Sequence, residues 1–350
     1  MNHRIEILTR DGAAFAFECE PQQDVLAAAA AAQLTLPSQC KRGSCGACHA
    51  SVAEGDYTLG EHAAEALPAD DPRAVLLCRT TPRSDLRIVA PYESTKVLRQ
   101  PVAVRRARIA SLETIADDTR RLALQLDPDD INGSAAEFEA GQFVELALPR
   151  GEGEGAGEDS GEVRRPFSLA NTSNWDGQLE LLIRLRPGGA FSGWLRERAR
   201  VGDALTVHGP QGGFGLFADS LRPRWFVAGG TGLAPVLSML RRMAEYQEMN
   251  EARLFFGVNR VSELFMVDEL ARLQTELPQL SVECCVRDAD DAWRGFHGTP
   301  VEALEGALAL TNASPDLYVC GPPAMVSAAQ AVAVAARVPP SQFASERFAV

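Results

Sequence analysis

At 350 residues the chain is too long for one ordinary domain and long enough for two or three, each with its own buried core. Apolar residues at 46% and charged residues at 23% exclude a disordered or fibrous chain. The net charge of −13, distributed as −4, −5 and −4 over residues 1–98, 99–220 and 221–350, leaves no basic segment with which to grip nucleic acid.

Residues 1–10 have no apolar stretch of signal-peptide type. The most apolar run, 25–36, is too short to cross a bilayer. The eight cysteines are therefore expected in a reducing cytoplasm, where grouped cysteines bind metal more often than they form disulfides. Two short alternating strands, 5–8 and 15–17, flank the turn Asp11-Gly12 as a hairpin. Asp24 then caps a helix over 25–34, rich in alanine and stopped by Pro37. A further strand over 85–90 and a linker over 91–101 close a small β-rich unit.

From 102 to 217, alternating apolar stretches separated by Gly, Pro, Asp and Asn turns predict an antiparallel barrel. Residues 151–162, with five glycines and five acidic residues, interrupt it and are expected to be a mobile surface loop without chemistry. Beyond Arg224 strands alternate with helices: strands over 225–228, 254–258, 282–286 and 317–320, helices over 237–247, 263–275 and 325–336. This alternation predicts βαβ units on a parallel sheet. The expected organisation is thus three units, 1–98, 99–220 and 221–350.

Cys40, Cys45 and Cys48 form C-x4-C-x2-C, and Cys78 follows after 29 intervening residues, a spacing suited to a 2Fe–2S cluster. The small residues Gly43, Ser44, Gly46 and Ala47 let backbone N–H groups point at the sulfurs. Zinc competes for four cysteines, but its sites pair one C-x2-C with another. Cys19, Cys284 and Cys285 read as small buried hydrophobes. His3, His49, His62, His208 and His297 are scattered, and four cysteines already complete a ligand set, so a Rieske centre is not expected. Further on, an apolar strand runs into Gly229-Gly230-Thr231-Gly232-Leu233-Ala234-Pro235 and then a helix, so that glycines admit a pyrophosphate to the helix N-terminus. The proline makes this something other than G-x-G-x-x-G, and an ordinary strand–helix turn remains the alternative for the loop taken alone.

The first hundred residues, with Cys40-Lys-Arg-Gly-Ser-Cys-Gly-Ala-Cys at their centre, resemble plant-type ferredoxins, which implies a β-grasp fold and one-electron transfer. Arg164-Arg165-Pro166-Phe167-Ser168 resembles the R-x-Y-S flavin motif of the ferredoxin–NADP reductase superfamily. By that resemblance Arg165 pairs with pyrophosphate, Phe167 (in place of the usual tyrosine) packs on the isoalloxazine, and Ser168 hydrogen-bonds flavin N5. In the same order of motifs, Gly189-Ala190-Phe191-Ser192 matches the flavin-pyrophosphate loop, and the segment from Gly209 through Gly213 to Phe214 matches the end of the FAD barrel. Gly230, Thr231, Gly232 and Pro235, with Cys320-Gly321-Pro322 and the terminal Glu346-Arg347-Phe348, match the nicotinamide end. There Cys320 lies near the hydride-transfer site and Phe348 guards the flavin, moving aside for nicotinamide.

Over its whole length the chain is similar to reductase components of bacterial oxygenases, most of all those of soluble methane monooxygenase and related short-alkane systems. The resemblance implies NADH oxidation, FAD and a 2Fe–2S cluster, with electrons leaving to the hydroxylase component, and no membrane or nucleic-acid partner. Arg260 and Glu263 stand where the adenosine ribose is expected, an acid that would accept from the ribose beside a base that would take a 2′-phosphate; NADH is expected over NADPH because NADPH-type members of the family carry more than one basic or hydroxyl residue there. A reductase for an aromatic-ring Rieske dioxygenase or a phenol or toluene monooxygenase is the nearest alternative, and a non-catalytic iron–sulfur redox sensor the alternative from another class. The free protein is expected to be a monomer, and the acidic ferredoxin face is a candidate docking surface for the hydroxylase.

Overall fold

The structure, a computed structural model, describes residues 2–68, 71–99, 102–130, 133–148 and 163–348. Three sheets follow one another along the chain, each with its own core. In the first, strands Ala14–Cys19, His3–Leu8, Leu86–Val89, His49–Glu54 and Ala74–Leu76 lie side by side in that order, with the outer hairpin antiparallel and His3–Leu8 parallel to Leu86–Val89. Ile5, Ile7, Phe15 and Phe17 point inward by the two-residue period of a strand and pack under the helix Val25–Ala31. Asp24 caps that helix as expected, its carboxylate accepting from Ala27 N at 2.8 Å. The helix ends earlier than composition suggests, because Gln33 turns left-handed (φ 61°) and Leu34 N bonds back to Ala29 O, well before Pro37.

The second sheet orders Arg164–Ser168, Phe143–Ala147, Ala204–Gln211, Val104–Ala116, Thr119–Leu126 and Gln178–Arg184, each neighbouring pair antiparallel. A bridge between Leu169 and Leu181 joins its two ends and closes a barrel around Leu122, Leu124, Leu146, Leu181 and Val207. The acidic segment 151–162 lies outside the described residues.

The third sheet is wholly parallel, in the order Phe296–His297, Leu280–Val286, Ala252–Val258, Arg224–Gly229, Asp316–Gly321 and Phe343–Arg347. Along its central strand Phe226 and Ala228 enter one core while Trp225 and Val227 enter the other, which explains a continuous apolar run buried on both faces. The strand order reverses between Arg224–Gly229 and Asp316–Gly321, the crevice where such sheets bind ligands. Helix Pro300–Leu310 was not anticipated, although Thr299 and Glu302 form a capping box that announces it.

The stretch after residue 90 is more than a slack linker. Thr35 and Leu98 bridge, and Lys96 pairs with Glu139 at 2.7 Å. Lys41 pairs with Glu145 at 3.3 Å, and the turn Ala64–Ala66 packs on helix Pro323–Ala335. The ferredoxin unit thus touches both of the others.

Candidate functional site

The cluster loop is built locally. Lys41, Gly43 and Gly46 adopt positive φ (53°, 81° and 78°), which curls the backbone around the sulfurs. Arg42 N and Ser44 N donate to Cys40 Sγ at 3.4 Å, while Cys40 N and Ala47 N donate to Cys45 Sγ at 3.4 and 3.5 Å. Cys78 arrives from a 3-10 turn, Leu77–Arg79, and its sulfur stands 3.4 Å from Cys48 Sγ.

Among the described residues no three His, Cys, Asp or Glu side chains converge as a single-ion site requires. The sulfurs instead stand as two pairs, Cys40 with Cys45 and Cys48 with Cys78, two thiols for each of two irons. Within each pair sulfur contact drives the acidities apart. The Cys45 contact draws Cys40 down to about 4 and the Cys48 contact lowers Cys78, while Cys45 and Cys48 are pushed far up by contact with those same partners and by burial. Crowded, largely buried thiols cannot all ionise without a cation among them. The donor set therefore fits a 2Fe–2S cluster.

Beside this loop opens a cavity of about 1310 Å³ that all three units line. Lys41, Arg42, Arg164, Arg165, Arg184, Arg186 and Arg287 face it against only Glu145, Glu263 and Glu302, seven cations to three carboxylates in a chain of net charge −13. So basic an enclosure inside an acidic protein suits two pyrophosphates, one for each dinucleotide. Its walls are apolar where rings would lie: Phe167 and Phe191 meet at 4.9 Å between centroids, and Phe348 stands in the same cavity.

The structure brings most of the expected site residues to this cavity. Arg165, Phe167 and Ser168 reach it from strand Arg164–Ser168; Gly189, Ala190, Phe191 and Ser192 reach it from the start of helix Ala190–Glu197. Ser192 Oγ accepts from Arg186 N at 2.9 Å and so shapes the loop itself. Gly230, Thr231, Glu263, Pro322 and Phe348 complete the wall. Glu263 is held by Arg260 at 3.1 Å and by Asn259 N at 3.2 Å.

Gly232, Pro235, Cys320 and Gly321 lie behind the wall, not on it. A Cβ at Gly232 would come within 2.1 Å of Cys320 O, so glycine there lets the loop rest on the neighbouring strand. Pro235 is buried in the first turn of helix Leu233–Glu245. Gly209 and Gly213 do not reach the large cavity. Gly209 packs within the barrel, where a Cβ would come within 2.9 Å of Val144, while Gly213 stands at the seam between barrel and ferredoxin: a Cβ there would face Pro37 and Lys96, and a smaller cavity of about 330 Å³ opens beside the neighbouring Pro210 and Gly212.

Glu346, within the terminal segment Glu346-Arg347-Phe348, carries no sequence signal of its own. Glu346 is buried at the meeting of three distant strands: Ser168 Oγ donates to Glu346 Oε2 at 3.0 Å, and Cys320 Sγ lies 4.0 Å from the same oxygen. Burial pushes the Glu346 carboxyl up to about 7, opposed by the Ser168 hydroxyl, and burial followed by the charge of Glu346 raises the Cys320 thiol. Arg184 and Arg287 were likewise missed, since single arginines at strand ends carry no sequence signal.

A family model for the 2Fe-2S iron-sulfur cluster binding domain matches residues 8–83, one for the oxidoreductase FAD-binding domain residues 106–215, and one for the oxidoreductase NAD-binding domain residues 226–331. Methane monooxygenase component C of Methylosinus trichosporium is 37% identical over 87% of this chain and 87% of its own length. The chain belongs to the reductase components of bacterial oxygenase systems. The ferredoxin–NAD(+) reductase component of the alkene monooxygenase system of Xanthobacter autotrophicus is also 37% identical, over 88% of this chain and 90% of its own. Among solved structures, the Amycolatopsis cytochrome P450 reductase GcoB superposes on this reductase with a TM-score of 0.73 at 30% identity, covering 98% of each chain. The reductase is an NAD-dependent oxidoreductase that binds FAD and a 2Fe–2S cluster.

Proposed function

We propose that this reductase oxidises NADH and delivers single electrons to the di-iron hydroxylase of a methane- or alkane-type monooxygenase. The observation that carries the reading is the one basic cavity that the cluster loop, the flavin-type barrel and the glycine loop of the parallel sheet line together. The bound groups supply the conversion of a two-electron donor into single-electron deliveries, since nicotinamide gives electrons in pairs and an iron–sulfur cluster takes one at a time. The chain's own residues do the rest. Gly230 and Thr231, at the switch point of the sheet, hold the NADH pyrophosphate, while Arg164, Arg165 and Arg186 hold that of FAD. Phe167 and Phe348, both on the cavity wall, would pack against the isoalloxazine, and Phe348 would move aside for nicotinamide. Ser168 would meet the flavin edge, held from behind by Glu346, whose buried carboxyl keeps a proton below about pH 7. Glu263 accepts from the adenosine ribose and disfavours a 2′-phosphate.

The methane- and alkene-system relatives support a di-iron partner. Eight free cysteines, four of them poised for iron, suit the cytoplasm, and the reductase is monomeric between encounters. Steady-state electron delivery to purified candidates tests the reading: a di-iron alkane hydroxylase should be reduced faster than a Rieske dioxygenase or a phenol hydroxylase. Preference for the Rieske oxygenase, or for NADPH over NADH, overturns it. NADH-dependent reduction of ferricyanide excludes a non-catalytic sensor.

A further inference from the structure

The last described strand, Phe343–Arg347, ends between two centres. Successive side chains of a strand point to opposite faces. Glu346 turns inward to Ser168 and Cys320, and Arg347 turns the other way, across the domain boundary, to the cluster loop. A Cβ on Gly46 would lie 2.9 Å from Arg347 Nη1 and 2.7 Å from Ala66 O, so the guanidinium rests on the bare backbone of Gly46, the residue between Cys45 and Ala47. Among the described residues Arg347 Nε is buried without a hydrogen bond, and no ion pair is recorded for Arg347. On the barrel side the same loop is held by Lys41 on Glu145 at 3.3 Å.

We propose that Arg347 is a positioning residue that seats the cluster loop against the nucleotide domain and raises the reduction potential of the cluster. This rests on the cofactor assignment above and deepens it. Four thiolates leave the cluster anionic, and each electron it accepts adds a negative charge. A nearby cation not neutralised by a carboxylate stabilises the reduced form more than the oxidised one, and more strongly behind protein than in water. The step concerned moves one electron from reduced flavin into the oxidised cluster, with no bond made or broken. Because Arg347 lies between Glu346 and Phe348, the strand that holds Glu346 behind Ser168 also places this charge.

The test is a redox titration of the full, cofactor-loaded reductase, followed by EPR of the reduced cluster, on the wild type, Arg347→Gln and Arg347→Lys. Arg347→Gln should shift the cluster equilibrium about tenfold toward the oxidised form, ~59 mV for a one-electron couple. Arg347→Lys should stay nearer the wild type. On mixing with NADH, cluster reduction in Arg347→Gln should slow about tenfold more than flavin bleaching. An unchanged potential in Arg347→Gln overturns the proposal, as does flavin bleaching slowed as much as cluster reduction, which would assign Arg347 to the hydride site. Arg347→Met, apolar and of similar length, carries the same comparison if the glutamine variant does not fold. A wild-type chain that lacks iron, or whose flavin NADH does not bleach, removes the cofactor reading itself, an outcome visible before any variant is compared.

Discussion

The cysteine loop, with Lys41 and Arg42 exposed, and the buried cluster of Ser168, Cys320 and Glu346 are built in opposite ways. Three of the four cluster cysteines lie within nine residues, and the backbone N–H groups that meet their sulfurs come from the same loop. Ser168, Cys320 and Glu346 instead come from a barrel strand and two strands of the parallel sheet, and a side-chain bond spanning 178 residues joins two of them. A centre made of one loop can be lost without disturbing its neighbour. A centre made of three strands fails whenever any of them shifts.

The largest expected effect tests this independence. Cys45→Ser should abolish the iron-dependent absorbance and all delivery to the oxygenase, yet leave NADH-dependent bleaching of the flavin within about twofold. Loss of both activities together would show that the two centres depend on one another.

Gly232→Ala should strike the other centre. Its new Cβ, 2.1 Å from Cys320 O, must push the glycine loop off its strand, at a cost of upwards of about 3 kcal/mol. Calorimetry should show the parallel-sheet domain melting several degrees lower, with the cluster spectrum unchanged at room temperature.

Glu346→Gln should reveal itself through pH. The folded carboxyl titrates near 7, above its ordinary 4.5, so between those values the native protein holds a proton that the unfolded chain has released. Wild-type stability should therefore fall as pH rises through this window, by about 3 kcal/mol in all, with the full penalty present above pH 7. The glutamine variant should lose that slope, and denaturant melts at pH 5 and pH 8 give the difference. Equal slopes in the two proteins would mean that the acid is not buried with its charge unpaired.

The smallest effect is expected from Phe348→Ala. Removal of the ring should cost about 1 kcal/mol of packing, bind nicotinamide several-fold tighter, and reduce the preference for NADH over NADPH. Unchanged hydride-transfer rates and cofactor preference would end its role as a gate.

The same contrast governs what could be read from the residues. C-x4-C-x2-C was legible because its ligands are neighbours and its small residues have a local purpose. Asp24 was legible as a cap for the same reason. Glu346 was not, because nothing near it in the chain says that Ser168 and Cys320 will be its partners. Strand Phe343–Arg347, with its polar residues, becomes a strand only by lying parallel to Asp316–Gly321. Gly209 and Gly213 belong to a local pattern too, but only the fold shows that Gly209 packs on strand Phe143–Ala147 and Gly213 on Pro37 and Lys96.

By itself the sequence carried the change from alternating strands to strand–helix units, the cysteine spacing and the glycine loop, since alternation, spacing and turn chemistry act over a few residues and survive reading in one dimension. The tertiary structure alone decided the basic cavity, the buried acid and the reach of Arg347 to Gly46. Those depend on which distant strands lie side by side, and on side chains that lose water and gain partners only when the sheets meet.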